Sequence, residues 1–180
     1  AILATGLNSR GELAKSTVVA TVMSNLGFFK AMEKAGIKVE VTGVGDRYVL
    51  EKMLEADSTL GGEQSGHVIY RKFANTGDGI LTALTLLQEV KRSGKSLKDA
   101  AAIMQKFPQV LINVKDVAKD KLSSSKTIAD AVAKSEAELA GAGRVLLRAS
   151  GTEALVRVMV EASTDTLASG VATHLAEVVK

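Results

Sequence analysis

Two short stretches of this chain of 180 residues hold side chains suited to binding chemistry. The first is Gly61-Gly62-Glu63-Gln64-Ser65-Gly66-His67. Its glycines free the backbone to turn tightly. Glu63, Ser65 and His67 stand at every second position, so an extended segment would project a carboxylate, a hydroxyl and an imidazole together. Such a set of donors and acceptors suits a polyhydroxylated ligand. The competing account is a hairpin turn whose polar residues face water. The second stretch is Arg148-Ala149-Ser150-Gly151-Thr152-Glu153. Backbone N–H groups around Gly151, the hydroxyls of Ser150 and Thr152 and the guanidinium of Arg148 are what a phosphate dianion requires. Arg157, further along, adds a second positive charge. An ordinary polar turn between strands, with Arg148 solvated, accounts for the same string.

The elements around these stretches must position them. Residues 17–23 (TVVATVM) are rich in β-branched side chains and read as a strand, after which Ser24 and Asn25 supply helix-start chemistry for 26–35. Gly36 closes that helix, 38–44 alternates as a second strand, and Asp46 opens a helix through 56. The first stretch then falls between two short strands. In residues 79–90 the apolar Ile80, Leu81, Leu84, Leu86, Leu87 and Val90 spread around the wheel, which predicts a core helix buried on most sides. Ser96 and Asp99 read as a capping box for a short helix through 104. Lys106-Phe107-Pro108, with the only proline, marks a domain boundary between 1–105 and 106–180. Beyond it come strand 110–114, helix 128–139, strands 144–148 and 155–161, and helix 167–179. In that last helix Leu167, Val171, Leu175 and Val178 form a stripe for a sheet. The fold class is α/β: a layered α/β domain with a mixed sheet, then a smaller α+β domain with an antiparallel sheet.

Composition narrows the function. Lys and Arg number 23 against 20 Asp and Glu, too small an excess for a polyanionic partner, and aromatics at 3% leave few stacking platforms for nucleic acid. A small anionic ligand fits better. Without cysteine there is no disulfide framework, thiolate metal site or cysteine nucleophile, and the cytoplasm is the default compartment. No apolar run approaches the ~20 residues of a membrane span, and no signal peptide opens the chain. Ala1 in place of Met hints at a piece of something longer.

Several weaker signals are set aside. Gly43-Val44-Gly45 begins like a dinucleotide fingerprint, but Tyr48 occupies the third glycine position; it reads as a strand-to-helix turn with Asp46 as cap and Arg47 as surface charge. Gly94-Lys95-Ser96 imitates the end of a P-loop, with Glu89 where its first glycine belongs. His174 has no second histidine or clustered carboxylates at ligand spacing, so it is structural. The charged run 115–121 reads as a solvated connection.

GGEQSGH is similar to the sugar-binding loop of the α-D-phosphohexomutase superfamily, and RASGTEALVRVMVEA resembles its C-terminal phosphate-binding loop and following strand. Gln64, with VVATVMSNLGF at 18–28 and GVGDRYV at 43–49, resembles the phosphoglucosamine mutase branch of that superfamily, and the likeness to its C-terminal half runs along nearly the whole chain. The resemblance implies interconversion of glucosamine 6-phosphate and glucosamine 1-phosphate through a phosphoserine, a bisphosphorylated sugar and magnesium. By motif position, Glu63 and Ser65 would hold sugar hydroxyls, while Arg148, Ser150, Gly151 and Thr152, with Arg157, would bind the phosphate that is not transferred. His67 stands as a proton shuttle or an orienting hydrogen-bond partner.

The family's Ser-His phosphoserine loop and Asp-Gly-Asp metal motif are not in this sequence, and Asp78-Gly79 lacks the second carboxylate. No metal site is therefore expected here, the chain alone is expected inert, and its implied partners are a hexosamine phosphate and the missing N-terminal domains. Relatives often dimerise through a domain absent here, so a monomer is compatible with the sequence. Many relatives have proline where this chain has Ala149 and Ala154, a change that removes no donor. The ligand is expected between the two domains, with a hinge at 106–108. Two other functions stay open: another hexose phosphomutase, and a non-catalytic sugar-phosphate binding module.

Overall fold

In the computed structural model, residues 1–119, 122, 124–151 and 153–180 are described. The first strand, β1 (Thr17–Thr21), is buried along its whole length because both of its faces are covered. Val18 packs with Ala4, Leu7, Met32 and Leu60, while Val19, pointing the opposite way, packs with Val49, Met53 and Ile69. The sheet order is β2-β1-β3-β4. Strands β2 (Lys38–Thr42) and β3 (Leu60–Gly62) run parallel to β1, and β4 (Val68–Tyr70) runs antiparallel to β3, so the sheet is mixed as expected. Helices α1 (Ile2–Ser9) and α2 (Leu26–Lys34) cover one face and α3 (Asp46–Ala56) the other.

The ends of these helices are set by local chemistry. Gly27 N–H donates to Asn25 Oδ1 at 3.0 Å to start α2, and Gly36 at φ +66° follows its end. Arg71 fastens the C-terminus of α3 by donating to the carbonyls of Met53 and Ser58 at 3.0 and 2.8 Å.

Helix α4 (Gly79–Ser93) departs from the expected burial on most sides. Ile80, Leu84 and Leu87 are exposed at 76, 62 and 61%. Among its described residues the deeply buried one is Glu89, whose carboxylate takes an ion pair from Arg10 at 2.7 Å and lies where a side chain on Gly6 of α1 would collide with it. Apolar residues all round a wheel state that a helix can be covered; among the described residues the main neighbours of α4 are α1, β4 and α5. The short α5 (Leu97–Ala101) begins with the predicted capping box, Asp99 N–H donating to Ser96 Oγ at 3.1 Å and that hydroxyl donating to the Asp99 carboxylate at 2.6 Å.

The chain folds as two compact units, Ala1–Lys106 and Phe107–Lys180. The second is a three-stranded antiparallel sheet of order β5-β7-β6, formed by β5 (Gln109–Lys115), β6 (Arg144–Ala149) and β7 (Leu155–Glu161). Helices α6 (Lys126–Leu139) and α7 (Asp165–Val179) pack on one face of it. Val156, Val158 and Val160 of β7 alternate toward α7, which answers with Ala168, Val171, Ala172, Leu175, Ala176 and Val179. The apolar stripe is rotated from the predicted one: alanines make the deepest contact because small side chains let the helix approach the sheet, and Leu167 and Val178 fall half-buried at its edges. The opposite sheet face carries Arg144, Leu146 and Arg148 of β6 beside Glu161, Met159 and Arg157 of β7. There Arg144 Nε donates at 2.7 Å to the fully buried Glu161 carboxylate. Among the described residues no helix is long and apolar enough to cross a membrane.

Candidate functional site

The glycine-rich stretch forms the β3–β4 hairpin and is not extended. Glu63 N–H donates to the His67 carbonyl at 2.8 Å, Gly66 N–H donates to the Glu63 carbonyl at 3.1 Å, and Gly66 takes φ +95°, which a side chain would oppose. The alternation that was to align Glu63, Ser65 and His67 is therefore lost to the turn. The Glu63 and Ser65 groups meet in another way, at the edge where the parallel strands end: Thr21 closes β1, Gly45 follows β2, and Glu63 follows β3. Open α/β sheets take ligands at that edge. Gly45 N–H donates to Glu63 Oε1 at 2.9 Å, which fixes the carboxylate, and the Ser65 hydroxyl stands 3.5 Å from Oε2. Thr21 Oγ1 donates to Gln64 Oε1 at 3.2 Å and so ties the turn to the end of β1. Ser65 is exposed and Glu63 half-buried.

His67 borders the same edge. Its Nε2 is buried without a hydrogen-bond partner and lies 3.6 Å from Asp46 Oδ2. The backbone of Gly77 lies against the imidazole, and a Cβ on Gly77 would collide with Nε2 and Cε1. Asp46 is the first residue of α3 and not its cap, a position held by Gly45; its carboxylate accepts from Arg47 N–H at 2.8 Å and otherwise faces His67. Arg47 is a surface charge paired with Glu51 at 2.8 Å.

In the second unit Arg148 of β6 stands directly across from Arg157 of β7, on the sheet face away from the helices. Like charges directly opposite one another repel, and an anion between them relieves the cost. Arg157 is within 3.4 Å of the Glu153 carboxylate, while Arg148 Nε is buried with no hydrogen-bond partner among the described residues. The turn that follows is tightly bonded. Ser150 is buried, its N–H donating to the Leu155 carbonyl at 2.9 Å and its Oγ accepting from Glu153 N–H at 3.2 Å. Gly151 is exposed, and a Cβ there would meet nothing within 4 Å, so the missing side chain leaves room beside the backbone. Thr152, a predicted ligand, lies outside the described residues.

The run 115–121, expected as a solvated connection, instead closes over this turn as far as it is described. Asp116 N–H donates to the Ala154 carbonyl at 3.2 Å, and Lys119 Nζ donates to the carbonyls of Ser150 and Glu153 at 2.8 and 2.9 Å.

Two family models cover nearly all of the chain: phosphoglucomutase/phosphomannomutase, alpha/beta/alpha domain III, over residues 1–107, and phosphoglucomutase/phosphomannomutase, C-terminal domain, over residues 111–178. The chain belongs to the phosphoglucomutase/phosphomannomutase family. It is 58% identical over 180 residues to the phosphoglucosamine mutase of Nocardioides sp., covering 100% of this chain and 40% of that one. It superposes with a TM-score of 0.80 and 23% identity on N-acetylglucosamine-phosphate mutase in the substrate complex, covering 99% of this chain and 43% of that one. With Aspergillus fumigatus N-acetylphosphoglucosamine mutase, solved in complex with GlcNAc-6P and magnesium, the TM-score is 0.75 at 21% identity, over 99% of this chain and 42% of that one. These two superpositions show the fold. The chain spans about 40% of the length of the curated relatives it matches.

The Aspergillus fumigatus N-acetylphosphoglucosamine mutase structure contains magnesium, which raises the question of that ion here. Among the described residues no group of three His, Asp or Glu side chains could hold it, and the Asp78 carboxylate is occupied as the cap of α4, accepting from Leu81 N–H at 2.9 Å. The described residues do not fit the ion. Of the signals set aside, Gly94 ends α4 at φ +66° and His174 is an exposed residue of α7. Thr21 and Gly77 were not singled out from the sequence, and Gly45 only within a fingerprint that was set aside; Gly77 lies outside the string that ends at His67, and nothing local marks its contact with the ring.

Proposed function

We propose that this chain is the sugar- and phosphate-gripping part of a phosphoglucosamine mutase, which interconverts glucosamine 6-phosphate and glucosamine 1-phosphate. In this reading residues 1–105 hold the sugar and residues 106–180 the phosphate. A phosphoserine supplied by the rest of the protein gives its phosphoryl group to the free sugar hydroxyl, the bisphosphate turns over, and the other phosphoryl group returns to the serine. Magnesium would be held outside this chain, where it would supply charge neutralisation to that transfer. The observation that carries the reading is the Arg148–Arg157 pair, directly opposite one another in the β6–β7 register, with an Arg148 Nε that is buried without a partner among the described residues, next to an open backbone at Gly151. A dianion satisfies both charges at once.

The Glu63 carboxylate, set by Gly45 N–H, and the Ser65 hydroxyl supply an acceptor and a donor for vicinal sugar hydroxyls. Hydroxyls met in either orientation are what a substrate that must bind two ways presents. His67, held between Asp46 and Gly77, is placed to orient a hydroxyl or to carry its proton. Holding substrate and neutralising charge account for most of the catalysis in phosphoryl transfer. The relatives at 56–58% identity, described as phosphoglucosamine mutases, support the choice of amino sugar. The setting in this reading is the cytoplasm, where charged sugar phosphates are made and retained.

The test is turnover by the complete protein with glucosamine 6-phosphate, glucose 6-phosphate and mannose 6-phosphate side by side. The highest kcat/KM is expected with glucosamine 6-phosphate, and the 180-residue chain alone should turn over none. A preference for either neutral sugar would overturn the assignment.

A further inference from the structure

Lys119 lies outside both motifs, in the connection after β5, yet its ammonium bonds the phosphate-loop turn at two points, 2.8 Å from the Ser150 carbonyl and 2.9 Å from the Glu153 carbonyl. Both acceptors are neutral, so these bonds leave its charge uncancelled. The peptide units concerned are planar and trans, and in a trans unit the N–H points opposite to the C=O. Drawing the Ser150 carbonyl toward Lys119 therefore turns Gly151 N–H away from it. Drawing in the Glu153 carbonyl does the same to Ala154 N–H. Asp116 N–H, bonded to the Ala154 carbonyl at 3.2 Å, holds the same turn from the same segment.

From this geometry we infer that Lys119 is a positioning residue: it pins two carbonyls on the inner side of the turn so that the amides of Gly151 and Ala154 face outward as donors to an anion. The inference rests on the phosphate-binding reading of this loop. Among the described residues the turn's other ties leave this job undone. Ser150 N–H and Oγ close the bend on itself through Leu155 and Glu153, but neither fixes the direction of the Ser150 or Glu153 carbonyl. Gly151, lacking a side chain and with open space around it, has little else to hold its peptide plane. A lysine serves because three donors on one compact head can satisfy two carbonyls at once. The arrangement also brings a third cation to a turn already flanked by Arg148 and Arg157.

The experiment titrates the 180-residue chain, labelled with 15N, with glucosamine 6-phosphate, comparing wild type with Lys119→Met and Lys119→Arg. In wild type the Gly151 and Ala154 amides should shift on binding. Lys119→Met should lose about tenfold in affinity, the order expected for removing charged hydrogen bonds, with both amides already displaced before ligand is added. Lys119→Arg, which keeps charge and donors, should recover to within about threefold of wild type. Unchanged Val158 and Leu175 amides certify the fold of each variant. If Lys119→Met fails that check, Lys119→Gln, with an uncharged amide on a shorter stem, replaces it.

Raising the ionic strength from about 0.1 M to about 1 M shortens electrostatic reach from ~10 to ~3 Å. The affinity ratio of wild type to Lys119→Met should survive that change. A ratio that collapses in salt means Lys119 acts as a distant charge and overturns the positioning role. So does wild-type affinity in a folded Lys119→Met, while the phosphate loop stands. Absence of any shift at Gly151 and Ala154 in wild type would instead overturn the phosphate-binding reading itself, and the role of Lys119 with it.

Discussion

At the scale of single residues, the site depends on places where a side chain is missing. Gly77 has no Cβ, and the His67 imidazole fills the space a Cβ would take. Gly77→Ala should destabilise the chain by about 1–3 kcal/mol, the usual cost of overpacking, read as a lower midpoint in urea denaturation. Gly79→Ala is the control, since a Cβ there meets nothing within 4 Å. Equal midpoints for the two variants would mean that the ring is not packed on Gly77. The string that holds Glu63, Ser65 and His67 stood out because glycines enclose Glu63, Gln64 and Ser65 just before the histidine, but its geometry was not legible. Alternation supposed an extended chain, whereas the bend at Gly66 and the bond from Gly45 N–H to Glu63 set Glu63 beside Ser65 and leave His67 against Asp46 and Gly77. Lys119 gave no signal at all, since its partners Ser150 and Glu153 lie 31 and 34 residues on. Contacts of that range leave no local pattern.

At the scale of elements, periodicity located strands and helices where a stop and a start were both written. Helix α2 has Asn25 before it and Gly36 after it, and β7 alternates valines against the helix face over Leu155–Glu161. Helix α1 went unread for a physical reason: Ala1 offers no capping side chain and Gly6 sits in its interior, so that of the usual signals only Gly11, at φ +70° past its end, is present. Its Gly6 makes sense only against the Glu89 carboxylate of α4, a contact invisible in one dimension. The same helix α4 shows the limit of a helical wheel, which reports apolar positions and not their covers. Because Leu84 is 62% exposed, Leu84→Gln should change stability by no more than about 0.5 kcal/mol, as surface substitutions do. Val158, fully buried in β7, sets the contrast: Val158→Ala should cost about 1–3 kcal/mol from lost burial and the cavity left behind. Comparable losses for the two in urea denaturation would place Leu84 in a core.

At the scale of the whole chain, composition did the excluding and two loops did the pointing. Few aromatics and a near balance of charge left a small anion as the fitting ligand, and each unit then proved to hold one string of polar residues at an edge of its own sheet. The fold class was legible because parallel strands with intervening helices, followed by antiparallel strands, write different rhythms into a sequence. What the sequence could not carry was electrostatic arrangement. Arg148 and Arg157 are separate letters in it, and the antiparallel register of β6 on β7 sets them face to face. In the proposed reading that pairing is the physical basis for phosphate recognition, and calorimetry tests it most directly. Arg148→Ala should weaken binding of glucosamine 6-phosphate by about 1.5–3 kcal/mol, the cost of one charged hydrogen-bonding group, with an unchanged thermal transition. Undiminished affinity in a folded Arg148→Ala chain would contradict the account.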